Sequence, residues 1–262
     1  LLPEAEMKKR RYPLAFVTLI AFLLSIRVVS AQSVNVLRNG SFEGEFVHGV
    51  GEGWTAFHNG GDASYGYGAD DRASAVFDGD YTQLLEIHTL GVGGSQPDRY
   101  SGIYQTATVV PGASYMFSVY GMVRSSVGSA EGSNYNYRLY VGFDYDGGTD
   151  PQRVTEWHEF PWSEYEIESP GPLQSYSRGV TATSDRITVF IRALKKFPTV
   201  GERVLYNLDA VSLVGPDGAV HPAEAAADAP MLPQTGAGSV LTLVGVALAS
   251  LALGIRRLRT RD

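Results

Sequence analysis

Between positions 32 and 215 no stretch sustains the 3.6-residue apolar period of an amphipathic helix. Short runs rich in valine, isoleucine, tyrosine and phenylalanine recur instead, divided by glycine, proline, asparagine and aspartate. Val76-Phe77 and Tyr81-Thr82 flank Asp78-Gly79-Asp80, a pattern that predicts a tight hairpin. Pro111-Gly112 divides a run at 104–110 from one at 113–123, which reads as a second two-strand unit. Further strands are predicted at 135–143, 164–168, 186–192 and 202–214. Strands this short, with turns this frequent, predict an all-β fold, a β-sandwich or jelly roll.

Alternation along a strand assigns faces. In 113–123 the core set is Tyr115, Phe117 and Val119, which sends Ser118, Tyr120 and Met122 outward. In 135–143 the core set is Tyr137, Leu139, Val141 and Phe143, leaving Arg138 and Tyr140 outward. With Ala107 and Val109 inward, Tyr104 points out as well. Tyr104, Tyr120, Arg138 and Tyr140 therefore become candidate ligand-binding residues on the outer face of one sheet. A pyranose offers an apolar C–H face to an aromatic ring, and its hydroxyls need fixed polar partners. The same tyrosines also fit cross-strand pairs that only stabilise a sheet. A second candidate is the segment 44–71, read as a glycine-rich loop that carries Trp54, Phe57, His58, Asn59, Tyr65 and Tyr67. Long loops at a sandwich end often carry recognition. Trp157 and Trp162 sit near another loop and are not ranked.

The two ends carry different patterns. Met7 reads as the start. It is followed by Lys8-Lys9-Arg10-Arg11, 13 residues of largely apolar sequence at 14–26, and Val29-Ser30-Ala31. This is the order of a secretory signal peptide, with cleavage after Ala31; an uncut anchor would need a longer span. At the other end, Leu232-Pro233-Gln234-Thr235-Gly236 precedes a 19-residue apolar stretch, 237–255, and a tail with Arg256, Arg257, Arg259 and Arg261. Nineteen helical residues reach about 28 Å, enough for a bilayer core, and the arginines favour the cytoplasmic side. This order resembles the LPXTG cell-wall sorting signal. The resemblance implies that a sortase cuts between Thr235 and Gly236 and joins the chain to the cell envelope, after the span has held it in the membrane. A plain transmembrane anchor is the alternative; a lipid-anchor signal fits worse, because its apolar tail normally ends the chain. Residues 216–231 hold three prolines and little to bury, so they read as a tether.

Charge sharpens this division. The chain of 262 residues has a formal net charge of −7, but nine of its 21 basic residues lie in the terminal segments. Residues 32–231 keep 12 basic and 25 acidic residues, a net of −13. Such a body is a poor nucleic-acid binder, because phosphate recognition relies on clustered Lys and Arg. The absence of cysteine excludes disulfides, thiolate metal sites and a cysteine nucleophile.

The runs Val36-Leu37-Arg38-Asn39-Gly40-Ser41-Phe42-Glu43, Gly53-Trp54, Tyr100-Ser101-Gly102-Ile103-Tyr104-Gln105 and Val110-Pro111-Gly112 occur in order. Tyr115-Met116-Phe117-Ser118 follows, and the domain closes on Val204-Leu205-Tyr206-Asn207-Leu208-Asp209-Ala210-Val211-Ser212-Leu213. Together they resemble the galactose-binding-like jelly roll of carbohydrate-binding modules, especially the families 4, 9 and 22 group. The resemblance implies a glycan ligand and a structural calcium ion held by Glu43 and Asp209. A frequent Asp-Asp pair is here Leu208-Asp209, which leaves one carboxylate where two are common. A second acidic run, Asp144-x-Asp146-Gly147-Gly148-Thr149-Asp150, offers closely spaced oxygens but also fits an ordinary Asp-Gly turn.

The case for catalysis is thin. Glu156, Glu159, Glu164, Glu166 and Glu168 are dense, yet their spacing matches no catalytic pair, and Glu164, Glu166 and Glu168 alternate as on a solvated edge strand. The sequence therefore points to a non-catalytic, envelope-anchored binding module for carbohydrate. A structural or adhesive surface protein with a protein partner is the alternative.

Overall fold

The computed structural model describes residues 33–90, 96–196 and 201–218. The expected signal peptide, nearly all of the tether, the sorting motif with Thr235 and Gly236, the apolar span and the basic tail lie outside the described residues. Among the described residues no helix is long and apolar enough to cross a membrane.

The chain is an all-β sandwich. Its strands are β1 (Ser33–Asn35), β2 (Phe46–Val47), β3 (Val50–Gly51), β4 (Thr55–His58), β5 (Ala63–Asp70), β6 (Thr82–Thr89) and β7 (Arg99–Thr108). They continue with β8 (Ser114–Ser125), β9 (Tyr137–Asp144), β10 (Trp157–Glu159), β11 (Glu164–Glu166), β12 (Gln174–Thr181), β13 (Arg186–Lys195) and β14 (Arg203–Pro216). A seven-stranded sheet runs β11-β8-β14-β6-β5, with β12 also on β8 and β1 on β14. A five-stranded sheet runs β10-β9-β13-β7-β4, and β2 pairs β3 as a small ribbon.

The alternation predicted for β8 and β9 places their core residues correctly. Tyr115, Phe117, Val119, Tyr137, Leu139, Val141 and Phe143 are all buried between the sheets. They meet Ile103, Ile187, Val189 and Ile191 of the smaller sheet and Leu85, Ile87, Tyr206 and Leu208 of the larger. Each such side chain stabilises the fold by roughly 1.5–3 kcal/mol on burial.

Four local expectations are corrected. The runs around Pro111-Gly112 are consecutive strands but not partners, because β7 belongs to the smaller sheet and β8 to the larger. The predicted hairpin at 76–82 is absent; β5 pairs β6 instead, across residues 71–81. Carboxylates take the amides that such a hairpin would need: Phe77 and Asp78 donate to Asp209, and Asp80 and Tyr81 to Glu43. The segment 44–71 is largely strand. Tyr65 and Tyr67 of β5 lean on the core while Gly66 and Gly68 alternate with them, a period of two that glycine disguises. Finally, Glu164 is not on a solvated face. It is 2% exposed and accepts from the Ser125 and Ser133 hydroxyls.

Candidate functional site

The outer face of the five-stranded sheet is built from alternate residues of five strands. Register places Trp157, Gly142, Phe190, Tyr104 and Thr55 in one row, and Glu159, Tyr140, Arg192, Gly102 and Phe57 in the next. The third row holds Arg138, Leu194 and Tyr100. The core residues Ile187, Val189 and Ile191 point the other way, so β13 itself fixes this face.

Two glycines shape the surface. A Cβ on Gly142 would stand 2.5 Å from Val154 and 3.0 Å from the Trp157 ring; one on Gly102 would stand 2.5 Å from Phe57. Their bare backbones let Trp157 and Phe57 lie across the sheet. Phe190 is wholly buried beneath these rings, with Phe57 edge-on at 5.8 Å, Tyr104 at 5.3 Å and Trp157 at 6.4 Å between centroids. Above this floor the Arg192 guanidinium carbon lies 3.9 Å from the Trp157 ring centre, 5.1 Å from Tyr140 and 5.6 Å from Tyr100. Cation–π contacts of this kind hold a guanidinium in place while leaving its edge N–H groups available. Burial, and then the neighbouring Glu159, push the Tyr140 hydroxyl above its ordinary pKa, so it stays protonated and donates to Glu159 at 3.3 Å.

The sequence-predicted ligand residues divide between places. Tyr104 and Tyr140 do share this outer face, in adjacent rows. Arg138 is on it but only 4% exposed, spent on the Trp162 carbonyl at 3.1 Å and on Glu159 at 3.3 Å. Tyr120 is corrected to the other sheet: β8 pairs β14 and β12, and its ring stacks on Phe77 with centroids 3.6 Å apart. Trp54 is corrected to the core: it is 7% exposed, packs on Phe42 at 5.7 Å, and donates its indole N–H to the Asn39 carbonyl. Trp162 is likewise buried, whereas Trp157 is on the platform. Arg192, Tyr100 and Phe57 were not singled out for this face. Applying alternation to 186–192, where Ile187, Val189 and Ile191 mark the core, would have exposed Arg192.

Glu43 and Asp209 come to one loop without forming a cation shell. Asp209 accepts from the Phe77, Asp78 and Ala210 amides at 2.6, 3.0 and 2.6 Å, and Glu43 from those of Asp80 and Tyr81 at 2.9 and 2.8 Å. Burial and the adjacent Asp78 raise the Asp209 pKa, although these amides oppose the shift. The loop presents N–H donors to the carboxylates, whereas calcium needs oxygen acceptors around it. The donor set therefore fits a carboxylate–amide latch and not a cation cage. Among the described residues no group of three or more His, Cys, Asp or Glu is gathered as a metal cluster. In the second acidic run, Asp144 accepts the Asp146 and Gly148 amides and faces Arg153, and Asp150 caps the short 3-10 turn Pro151–Arg153.

No protein-family model matches the chain, and no curated protein matches it. Among solved structures it is similar to a family 61 carbohydrate-binding module in complex with β-1,4-galactotriose, at 14% identity and TM-score 0.42, over 69% of this chain and 97% of that one. It is similar to a family 16 carbohydrate-binding module at 15% identity and TM-score 0.38, over 69% and 100% of the two chains. It is also similar to a putative sugar binding protein from Bacteroides thetaiotaomicron, at 13% identity and TM-score 0.42, over 69% and 99% of the two chains.

Proposed function

We propose that the chain is a surface-displayed, non-catalytic module that binds carbohydrate on the outer face of its five-stranded sheet. The observation that carries this reading is the ring set Trp157, Tyr140 and Tyr100 around Arg192, with Tyr104 beside Phe190 on the same face, all four rings partly exposed. Ring faces suit pyranose C–H groups, and the guanidinium and tyrosine hydroxyls suit sugar oxygens. Sortase anchoring belongs to the same reading and is supported by the order of Leu232-Pro233-Gln234-Thr235-Gly236, apolar stretch and arginine tail. The chain enters and leaves the domain through β1 and β14, where Ser33 pairs Pro216, in the sheet opposite the aromatic face. A module displayed in many copies gains avidity from weak single contacts.

The test is a glycan array on the purified chain, followed by calorimetry on the best ligand. Trp157→Ala and Tyr140→Ala each weaken binding about tenfold, through the loss of roughly 1–1.5 kcal/mol per aromatic contact. Tyr120→Ala, on the opposite sheet, leaves it unchanged. Unchanged binding in both platform variants overturns the site. A protein partner is the second reading, favoured by Met116 and Val214, which are cross-strand neighbours on the larger sheet and 51% and 37% exposed.

A further inference from the structure

Arg192 differs from several other arginines of the domain, each of which is held by an acceptor that the described residues supply. Arg124 is held by Asp70 at 2.7 Å and by Asn207; Arg138 by Glu159 and the Trp162 carbonyl; Arg203 by Glu86 at 2.9 Å. Even the more exposed Arg153 faces Asp144 and Asp146. Arg192 has no carboxylate within ion-pair distance and no hydrogen-bond acceptor among the described residues, and its Nε is buried without a partner. This occurs in a body where carboxylates outnumber basic groups by 25 to 12. Glu159, two positions along the same register row, is already engaged by Arg138 and the Tyr140 hydroxyl. Three rings fix the guanidinium, and no anion among the described residues neutralises it.

A partly desolvated cation without a counter-ion is costly, and a ligand that brings one recovers that cost. The planar fork of a guanidinium matches a carboxylate through two parallel N–H···O bonds. A neutral sugar hydroxyl would satisfy one donor and leave the charge uncompensated. We propose that the ligand of the aromatic face is an acidic sugar of the uronic acid class, its carboxylate taken by Arg192 and its ring C–H face laid on Trp157 or Tyr140. The inference rests on the carbohydrate reading above and specifies its substrate class.

The experiment measures the purified chain against galacturonate, glucuronate and mannuronate oligosaccharides, each beside its carboxyl-reduced neutral form. At least one acid form binds ten to a hundredfold more tightly than its neutral counterpart, in keeping with a charge-assisted pair. That preference weakens between 50 and 500 mM salt. Arg192→Gln abolishes the preference, and Arg192→Lys, which keeps the charge and loses the fork, retains only part of it. Melting temperatures of both variants check that the fold persists. Trp157→Ala weakens acid and neutral forms alike. Equal binding of acid and neutral forms by the wild-type chain overturns the acidic-sugar proposal and leaves the carbohydrate reading standing. Binding of none of these sugars, with no other glycan bound on the array, overturns both.

Discussion

Asp209 on β14 and Glu43 in the N-terminal segment grip one loop from two sides: Asp209 takes the amides of Phe77 and Asp78, and Glu43 those of Asp80 and Tyr81. Gly79 lies between these pairs with φ near +81°, and a Cβ there would stand 2.3 Å from the Glu43 carboxyl carbon. The loop carries Phe77, which caps Tyr120 in a stacked pair. Residues at opposite ends of the domain thus close the outer side of the larger sheet.

The latch has direct consequences for stability. Asp209→Ala strips three amides of their acceptor and costs about 2–3 kcal/mol, while the more exposed Glu43→Ala costs about 1 kcal/mol. Because amides already compensate both carboxylates, the melting temperature stays the same in calcium and in chelator. A calcium-dependent rise in the wild-type chain that vanishes in both variants would place an ion at the latch instead.

The sandwich was legible in the sequence because alternation survives wherever both faces carry large side chains, as in Tyr115, Phe117, Val119 and in Tyr137, Leu139, Val141. What alternation cannot give is which strands are neighbours. Tyr120 and Tyr140 both point outward, yet β8 and β9 lie in different sheets, so a single face built from them was wrong. Burial of polar residues was equally hidden. Arg138 and Glu164 occupy positions that read as surface, and each is buried by contacts from distant segments: Trp162 for the first, Ser125 and Ser133 for the second. Half of the platform was legible through Tyr104 and Tyr140. Phe190 was hidden because an apolar residue on the outward parity resembles a strand buried on both sides.

Gly142 offers a test of the platform that replaces no ligand-binding side chain. The added methyl of Gly142→Ala meets Val154 at 2.5 Å and the Trp157 ring at 3.0 Å, so the indole must lift off the sheet and away from Arg192. Trp157 sits on the short edge strand β10 and has room to move outward. The variant folds, with a changed tryptophan emission spectrum and about tenfold weaker sugar binding. Unchanged binding with a displaced indole would remove Trp157 from the site.

The outer side of the larger sheet hides a charge cluster whose disruption is severe. Arg124 is fully buried; it donates to Asp70 at 2.7 Å and to the Asn207 side-chain oxygen at 2.7 Å, and Asn207 donates to Asp70 at 3.1 Å. Arg124→Ala leaves the Asp70 carboxylate without its main counter-charge and costs about 3–5 kcal/mol. Adding Asp70→Ala to that variant recovers part of the loss, because the stranded charge goes with it. Chemical denaturation of the single and double variants measures this coupling, and strict additivity would contradict it.

Glu164 gives the domain a pH signature of definite sign. Burial raises its pKa above the ordinary 4.5, although the Ser125 and Ser133 hydroxyls and Arg138 pull the other way. A carboxyl whose folded pKa is raised binds its proton more tightly in the native state. Its contribution is full below about pH 4.5 and is lost as pH rises through the folded value. Glu164→Gln mimics the protonated form. Its oxygen can accept from Ser125, and its amide can donate to the Ser133 oxygen while Ser133 still donates to the Ala130 carbonyl at 3.1 Å. Both serine contacts then survive the substitution. The variant should melt a few degrees higher than the wild-type chain at pH 7, and the gap should close as the pH is lowered toward 4. Thermal melts of both proteins across that range decide the point: a gap that widens toward acid would mean that the ionised carboxylate, held by Arg138 and the two serines, is the preferred native form.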